Sequence, residues 1–370
     1  MEVLLISLQG IGNTILVTPA IKYLYKMGYT VDMIVSDNNS HQIVERLGML
    51  RNIYIYREKE SFIKNAFRLK KLTKSNNYTT VYAMCPNGRR ENLLAFFLSR
   101  KNKGAIKDRL GYWRMFRFLL KEKVVIDEDT HDILGNLKLV GASNTYNDYR
   151  PLIIIPKNID EEILASLSKK NNQKLLMVLH PFAGLKAKCW DLNKYMYICK
   201  RLIEEKDIKI IVIGSLKEKE NIDFFITKVG IGVEKFIHKD ILYIAALIKH
   251  SDLFLGNDSS LMHIAASLGK PTIAIWGFTD YTRISPYGNN SLIIRKSYNC
   301  IPCYTFEYGC RCFLSYECLK GLNKEEVYSV ISYIIDKIKE GNYLESLDFK
   351  NINFKEIKIL WFGAKMLVLR

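Results

Sequence analysis

The segment from Asp252 to Asp280 constrains the fold more than any other part of this chain. Residues 253–255 are apolar, as in a buried strand, and residues 256–260 combine turn formers with helix-capping residues. Apolar residues at helical spacing follow in 261–268, a Gly-Lys-Pro sequence ends the helix, and 272–276 is apolar again. The pattern predicts strand, turn, helix and strand, as in a parallel sheet that binds ligands at its carboxyl edge.

The start of that helix is a candidate phosphate-binding site. A helix that opens directly after a strand presents free backbone N–H groups and the positive end of its dipole. Ser259, Ser260 and Leu261 supply those N–H groups, and the serine hydroxyls add donors. Asp258 could cap the helix or hold sugar hydroxyls, while His263 could contact the ligand or lie in the core. An ordinary turn of a parallel sheet would show the same pattern, so both interpretations stay open.

Length and composition indicate a large soluble protein. The chain has 370 residues, of which 48% are hydrophobic and 25% charged, and this length predicts two domains. No apolar run approaches the roughly 18 residues that a membrane span needs. The N-terminal sequence lacks a basic region and a small-residue cleavage site, so we interpret it as a first strand rather than a signal peptide.

The chain is strongly basic. Lys and Arg total 55 against 38 Asp and Glu, which gives a formal charge of +17. This balance favours anionic partners: nucleic acid, lipid headgroups or phosphorylated substrates. Because no nucleic-acid-binding motif accompanies the charge, we do not expect nucleic acid as a partner.

Strand and helix patterns alternate along the chain. The first half predicts strands at residues 3–8, 29–35, 53–56 and 80–84, in the order of a parallel doubly wound sheet. We therefore predict an α/β protein with a first Rossmann-like domain over residues 1–150 and a second over 151–335. The second domain contains a cysteine-rich segment, 300–318, and is followed by a C-terminal helix and tail, 336–370.

Several ordered motifs resemble glycosyltransferase family 9, the ADP-heptose:lipopolysaccharide heptosyltransferases and their relatives. The likeness covers roughly residues 1 to 335, and a set of motifs in order is far more specific than any one of them. The motifs are the glycine turn before TPAIKYL, His131 with Asn136-Leu137 and Gly141, His180-Pro181 through Lys188-Cys189-Trp190, Gly256 to His263, Gly277 to Asp280, Pro286-Tyr287-Gly288 and Cys300-Ile301-Pro302-Cys303.

This resemblance implies a GT-B fold, two Rossmann-like domains facing a cleft. It also implies an inverting glycosyltransferase that moves a heptose-like sugar from a nucleotide diphosphate donor, such as ADP-heptose, to a hydroxyl of a lipopolysaccharide, polysaccharide or protein. The first domain would bind the acceptor and the second the nucleotide. A cytoplasmic location is expected, with peripheral contact at the inner membrane face left open. No cofactor is required for such a reaction.

Three further residues are expected to bind the donor. Lys188 follows a strand and a glycine and can place its ammonium on the diphosphate leaving group, whose charge must be neutralised where no metal is fixed. A solvated surface lysine is the alternative. Glu218 lies where the family binds the nucleotide ribose, with Glu220 as an alternative, and Gly12 belongs to the first glycine turn.

Asn13 departs from the family pattern. An Asp usually follows the glycine there and serves as the general base, which an amide cannot do. Three explanations remain: another carboxylate such as Asp280 serves, oriented binding with late proton loss suffices, or the chain is a binding relative with little transferase activity. Asn13, Lys188 and Asp280 are therefore the candidate catalytic positions.

A basic and aromatic segment in the first half is the candidate acceptor surface. Arg89 and Arg90 are its predicted acceptor-binding residues. Other cations of the segment could meet acceptor phosphates or the membrane, although a solvated helical face is the alternative. These cations are Arg100, Lys101, Lys103, Lys107, Arg109, Arg114 and Arg117.

Five of the eight cysteines lie in one short segment. Four thiolates could bind zinc or iron there, and the family resemblance favours Cys300, Cys303, Cys312 and Cys318, with Cys310 to spare. A reduced segment without metal is the alternative.

The function also has alternatives from other classes. One is a nucleotide-sugar-binding protein without turnover, which Asn13 favours. The other is a nucleic-acid binder, which the charge alone favours.

Overall fold

The computed structural model describes residues 1–84, 88–106, 116–143, 146–168, 174–301, 303, 312, 315–349, 352 and 354–369. The chain divides into two compact units, Met1–Ile154 and Ile155–Arg370. Among the helices in these ranges, none is long and apolar enough to cross a bilayer.

The first unit is built on a parallel sheet. In the described residues it has six strands in the order β3-β2-β1-β4-β5-β6. The strands are β1 (Glu2–Ser7), β2 (Thr30–Val35), β3 (Asn52–Ile55), β4 (Thr80–Ala83), β5 (Asn102–Ile106) and β6 (Glu122–Val125), and the helices are α1 (Ile11–Lys26), α2 (Asn38–Glu45), α3 (Phe62–Thr73), α4 (Arg89–Leu98) and α5 (Asp132–Leu139).

The second unit repeats this design with a larger sheet. Its described strands run in the order β13-β14-β12-β11-β10-β7-β8-β9, and only β13 is antiparallel to its neighbour. The strands are β7 (Leu175–His180), β8 (Ile208–Gly214), β9 (Val233–Ile237), β10 (Leu253–Asn257), β11 (Thr272–Ile275), β12 (Ser291–Lys296), β13 (Glu356–Ile359) and β14 (Lys365–Leu369), and the helices are α6 (Lys157–Ser168), α7 (Leu192–Lys206), α8 (Lys219–Val229), α9 (Ile241–Lys249), α10 (Ser260–Ser267), α11 (Tyr281–Ile284), α12 (Glu317–Lys320) and α13 (Lys324–Lys339).

Both sheets have continuous apolar central strands. Residues 3–6 of β1 and 253–255 of β10 are fully buried, as expected for parallel strands covered by helices on both faces. Each sheet also has one point at which the strand order reverses: between β1 and β4 in the first unit, and between β7 and β10 in the second. In open α/β sheets the crevice at this reversal, beyond the carboxyl ends of the strands, is where ligands bind.

The structure differs from the sequence-based expectation in two places. Helix α1 begins at Ile11, so Gly12 and Asn13 lie in its first turn, and only Gly10, with a φ of 86°, forms the turn before it. Residues 336–370, set apart above as a helix and tail, lie within the second unit. Helix α13 runs across position 336, and β14 pairs in parallel with β12 inside the second sheet.

Candidate active site

The strand reversal of the second sheet brings three predicted residues together. His180 is the last residue of β7, and Asp258 and Ser259 directly follow β10. The backbones of β7 and β10 approach closely here. A side chain at Gly256 would place its Cβ 3.0 Å from the carbonyl oxygen of His180, so any other residue would need the backbone to shift by a few tenths of an ångström. Two predicted donor residues, Asp258 and Ser259, and the motif residue His180 therefore lie at one point of the fold.

Lys188 and Asp258 form an ion pair at this point. The Lys188 Nζ lies 2.7 Å from Asp258 Oδ2, and the Asp258 side chain is only 5% exposed. The hydroxyl of Thr279 donates to the same oxygen at 2.6 Å. An ammonium has three N–H donors, so the contact with Asp258 leaves Lys188 able to bind a further anionic oxygen. Thr279, which sequence reasoning named only within a motif, thereby links the segment after β11 to the site.

Asn257 fixes the loop that carries Lys188. Its buried Oδ1 accepts hydrogen bonds from the Trp190 backbone N–H at 3.1 Å and from the Tyr195 hydroxyl at 3.0 Å. Its Nδ2 donates to the carbonyl of Phe182 at 3.4 Å. The two ends of loop 182–190 are thus tied to β10 by one side chain. Sequence analysis missed this role, although an amide at the end of an apolar strand was a visible signal.

Helix α10 begins with unsatisfied backbone donors. Its N-cap is Ser259, but no side chain caps the helix. The Ser259 hydroxyl instead lies 3.2 Å from His180 Nδ1. The first N–H groups of α10, those of Ser260 and Leu261 among them, are therefore available to an anion, as the sequence predicted. Burial lowers the pKa of His180 to about 4 despite the opposing effect of Glu218, so this imidazole is neutral at pH 7.

Glu218 lies beyond the carboxyl end of β8, next to the site. Its Oε2 accepts hydrogen bonds from the backbone N–H of Ser215 at 2.6 Å and from the Ser215 hydroxyl at 2.8 Å. It therefore completes a capping box, which fixes the turn after β8. A Cβ at Gly214 would lie 3.0 Å from that oxygen, so the neighbouring glycine permits this arrangement. Its expected ribose contact stays a prediction.

Two other predicted residues have local structural partners. His263 is 5% exposed within α10, and its carbonyl accepts a hydrogen bond from the Ser267 hydroxyl. Asp280 is the N-cap of α11, where Oδ1 accepts from the backbone N–H and the hydroxyl of Thr282, at 3.0 and 2.6 Å. These bonds do not remove proton-accepting capacity from Asp280, and its proposed catalytic role stays a prediction.

The strand reversal of the first unit contains Asn13 and an unpredicted carboxyl group. The Asn13 amide donates to the Gln9 carbonyl at 3.3 Å, which keeps it over the turn after β1. Glu91, in the first turn of α4, is 2% exposed and accepts a hydrogen bond from the Leu8 backbone N–H at 3.0 Å. Burial raises the pKa of Glu91. Glu91 links the end of β1 to the first turn of α4, and no motif marked it.

Arg89 and Arg90 are exposed at the start of α4. Arg90 lies 3.5 Å from the Glu58 carboxylate and over the ring of Tyr56. The basic segment continues into Arg100, Lys101 and Lys103, which are described. Lys107, Arg109 and Arg114 lie outside the described residues, as does the side chain of Arg117.

The predicted thiolate metal site does not form among the described residues. Cys300, Cys303, Cys312 and Cys318 are free thiols. Burial raises the pKa of Cys318 to about 11, and the other three add to this effect, which indicates that the four are near neighbours. Across the described ranges, however, no three His, Cys, Asp or Glu side chains form a group that could hold a metal ion. Cys310 lies outside those ranges.

Comparison with known proteins identifies the family. The model of glycosyltransferase family 9 (heptosyltransferase) matches residues 66–312. The chain belongs to glycosyltransferase family 9. It is 26% identical over 294 residues to lipopolysaccharide heptosyltransferase 1 of Campylobacter coli, covering 75% of this chain and 84% of that protein. It is 29% identical over 161 residues to lipooligosaccharide heptosyltransferase 2 of Campylobacter jejuni, covering 42% of this chain and 50% of that protein.

Solved structures support the fold. A family 9 glycosyl transferase from Veillonella parvula superposes with a TM-score of 0.74 at 16% identity, covering 91% of this chain and 97% of that one. The Escherichia coli ADP-heptose lps heptosyltransferase II gives 0.68 at 16% identity, covering 92% of this chain and 100% of that one. The predicted GT-B fold class with two Rossmann-like domains, and the glycosyltransferase class of the enzyme, are confirmed.

Proposed function

We propose that this family 9 enzyme transfers a heptose-like sugar, with inversion, from a nucleoside diphosphate donor to a hydroxyl of a lipopolysaccharide, polysaccharide or protein acceptor. ADP-heptose is the donor that the relatives favour, since the curated relatives are heptosyltransferases and one similar solved structure is the Escherichia coli heptosyltransferase WaaC with ADP. In this proposal the first unit binds the acceptor and the second binds the donor.

One observation carries the proposal: a lysine ammonium and an uncapped helix N-terminus meet at the strand reversal of the second sheet. A sugar leaves its donor as a nucleoside diphosphate, on which negative charge develops. Lys188 and the first N–H groups of α10 are fixed donors that can stabilise that charge without rearranging in the reaction. Ser259 adds a hydroxyl, and the neutral His180 imidazole adds a further uncharged hydrogen-bonding group.

The remaining donor contacts follow from the same arrangement. Asp258, held by Lys188 and Thr279, presents a carboxylate that can accept from sugar hydroxyls. Glu218 lies one strand away, beyond β8, where its second oxygen can accept from the hydroxyls of a ribose. His263 and Gly12 remain candidates whose contacts with the donor are unassigned.

Calorimetry with ADP tests this assignment. Lys188→Ala should weaken ADP binding by about 1.5–3 kcal/mol, the scale of a charge-assisted hydrogen bond. Lys186→Ala is the matched control, because Lys186 lies in the same turn and is exposed. Equal ADP affinity for the two variants would contradict the assignment of Lys188 to the diphosphate.

The general base is a separate question, because Asn13 cannot accept a proton. We propose Asp280 as the substitute carboxylate. Two other accounts compete with it: transfer by oriented binding with late proton loss, and a relative that binds nucleotide sugars with little turnover. If the chain is a relative with little turnover, the wild type should transfer almost no sugar and Asn13→Asp should transfer more. Efficient transfer that neither Asn13→Asp nor an Asp280 substitution changes would leave oriented binding.

We propose an anionic glycolipid as the acceptor. Arg89 and Arg90 are exposed cations beside the strand reversal of the first unit, where phosphate groups of an acceptor could bind. An acceptor anchored in lipid would bring a cytoplasmic enzyme to the inner membrane face. Nucleic acid is the competing anion, and a salt-dependent shift assay with DNA tests it; binding at physiological salt would contradict our expectation.

A further inference from the structure

One surface of the first unit combines exposed apolar and basic side chains. We call it the α3–α4 surface and define it by Ile63, Phe67, Lys70, Lys74, Phe97 and Arg100. The apolar members from α3 are large and unusually open to solvent: Ile63 is 67% exposed and Phe67 62%. Phe67 also contacts Phe97 edge to face, with ring centroids 5.2 Å apart, so the two helices share one aromatic ridge.

Four of the exposed residues of α3 and its C-cap lie on one stripe of the helix. Ile63, Phe67, Lys70 and Lys74 are spaced by four, three and four residues, which places them in line along one side. The sequence of α3 contains no acidic residue, and the one acid of α4 is the buried Glu91. The stripe is therefore apolar at its start and cationic at its end, with no carboxylate of its own helices beside it.

A basic cavity lies at the cationic end of this surface. It has a volume of about 390 Å³, and its lining includes Lys70, Lys74, Asn77, Arg100 and Lys101. It occupies the amino edge of the first sheet, below the ends of α3 and α4, and is therefore distinct from the strand reversal at the carboxyl edge. Lys70 donates to the Phe97 carbonyl at 3.3 Å, and no carboxylate of the described residues pairs with any of the four cations.

The cavity carries more positive charge than the negative ends of the two helix dipoles can balance. The carboxyl ends of α3 and α4 each carry roughly −0.5 charge, or about −1 together. Four side-chain cations therefore leave a surplus near +3. Two carboxylates lie near the cavity: Asp32 accepts from Tyr78 and Asn76, and Glu2 accepts from the backbone of the lining residue Asn77. Arg51 pairs with both, so the three groups together leave about −1. A surplus near +2 therefore remains available to an anion.

We propose that the α3–α4 surface docks the enzyme on an anionic lipid bilayer, with the phosphate of a lipid headgroup in the basic cavity. Exposed aromatic residues beside lysines are the composition of interfacial surfaces, where rings enter the headgroup boundary and cations meet acidic lipids. The basic cavity alone could bind any phosphate. The aromatic residues beside it favour a phosphate that lies at the edge of an apolar phase, as the phosphate of a lipid headgroup does. The docking rests on the proposed function in one respect: its role would be to hold the enzyme near a lipid-linked acceptor.

Vesicle co-sedimentation tests this docking. The intact protein should bind vesicles containing phosphatidylglycerol and not neutral phosphatidylcholine vesicles, and the binding should weaken as salt screens the charges. Lys70→Gln/Lys74→Gln should bind about 25-fold more weakly, since each cation contributes about a factor of five at such a surface. Phe67→Ser should bind about tenfold more weakly because one ring leaves the boundary. These side chains are exposed, so the fold should be retained.

A matched control comes from the second unit. Phe224 on α8 is 49% exposed and Lys228 lies 5.6 Å from its ring, so Phe224→Ser/Lys228→Gln removes a similar pair from another surface. This variant should bind vesicles as the wild type does. Equal losses in the control and the α3–α4 variants would overturn the assignment of the surface, as would full binding by all of them.

Two further measurements separate the alternatives. Calorimetry with inorganic phosphate tests for a soluble ligand: phosphate binding without vesicle binding would overturn the docking and leave a site for free phosphate. Titration of ADP into the same variants should give wild-type affinity. A wild type that binds ADP but not anionic vesicles would overturn only the docking, whereas a wild type that binds vesicles but not ADP would overturn only the proposed function.

Discussion

Removing the Asn257 side chain should destabilise the second unit and weaken ADP binding together. Asn257→Ala leaves the buried donors of Trp190 and Tyr195 without their shared acceptor. An unsatisfied buried donor costs about 1–3 kcal/mol, so two give about 3 kcal/mol. This is a large part of the stability of a typical domain, about 5–15 kcal/mol. Loop 182–190, which carries Lys188, would lose its attachment to β10, so ADP affinity should fall as well.

A double-mutant cycle shows whether this reasoning is right. Tyr195→Phe removes one donor and keeps Asn257 bonded to Trp190, so it should cost only about 1 kcal/mol. Once Tyr195 is Phe, Asn257→Ala orphans one donor instead of two. The double variant should therefore lose about 1–2 kcal/mol less than the sum of the single losses.

Urea denaturation measures these losses in the transition of the second unit, which contains all three side chains. Additive single losses would refute the shared-acceptor argument. Unchanged ADP affinity in a folded Asn257→Ala variant would refute the link to Lys188. The two results are independent, so stability and positioning can be judged separately.

Three shorter predictions concern Asp280, His180 and the cysteines. Asp280→Asn keeps an N-cap acceptor for Thr282 but cannot take a proton, so turnover should fall at least ~10²-fold at unchanged stability if Asp280 is the base; a small change in kcat would exclude it. His180 takes up a proton near pH 6.5 in the unfolded state and only near pH 4 in the folded state, so the free energy of unfolding should fall by on the order of 3 kcal/mol on acidification through this window. His180→Gln should flatten the dependence of the unfolding free energy on pH. An unchanged pH dependence in this variant would contradict the assignment. Metal analysis of protein purified without chelator tests the sequence-based prediction for Cys300, Cys303, Cys312 and Cys318: about one zinc or iron per chain would support it, and no bound metal would contradict it.

The sequence predicts most of the central fold because parallel strands between helices are continuous apolar runs. Strands β1, β2 and β10 are within about two residues of their predicted bounds. Strand β14 was not predicted, because a short apolar run such as residues 366–369 is compatible with a strand or with a buried helical segment. Helix α4 was described only as basic and aromatic, because its two buried polar side chains break the apolar stripe by which a helix is recognised.

The candidate site also contains some features that the sequence predicts and others that it does not. Backbone-based features were predictable, because a turn followed by a helix fixes where the N–H groups point. Side-chain pairs such as Lys188 with Asp258 were not, since 70 residues separate them in the chain. Glu91 was missed for a related reason. An acid in the first turn of a helix is ordinarily a favourable exposed charge, and nothing local shows that this one is buried against Leu8.

The Lys188–Asp258 pair leads to a prediction that runs against simple loss of function. Asp258 cancels the ammonium charge that the diphosphate would otherwise meet, so the site holds little net positive charge beyond the α10 terminus. Asp258→Asn keeps an acceptor for Thr279 and removes that cancelling charge. A charge about 5 Å from the diphosphate, at an effective dielectric of ~20, contributes about 3 kcal/mol before screening, so ADP should bind at least about tenfold more tightly. Sugar transfer should nevertheless fall, because the carboxylate that we assign to sugar hydroxyls is lost. Calorimetry and a transfer assay on the same preparation decide the matter: unchanged or weaker ADP binding would show that Asp258 does not oppose the diphosphate.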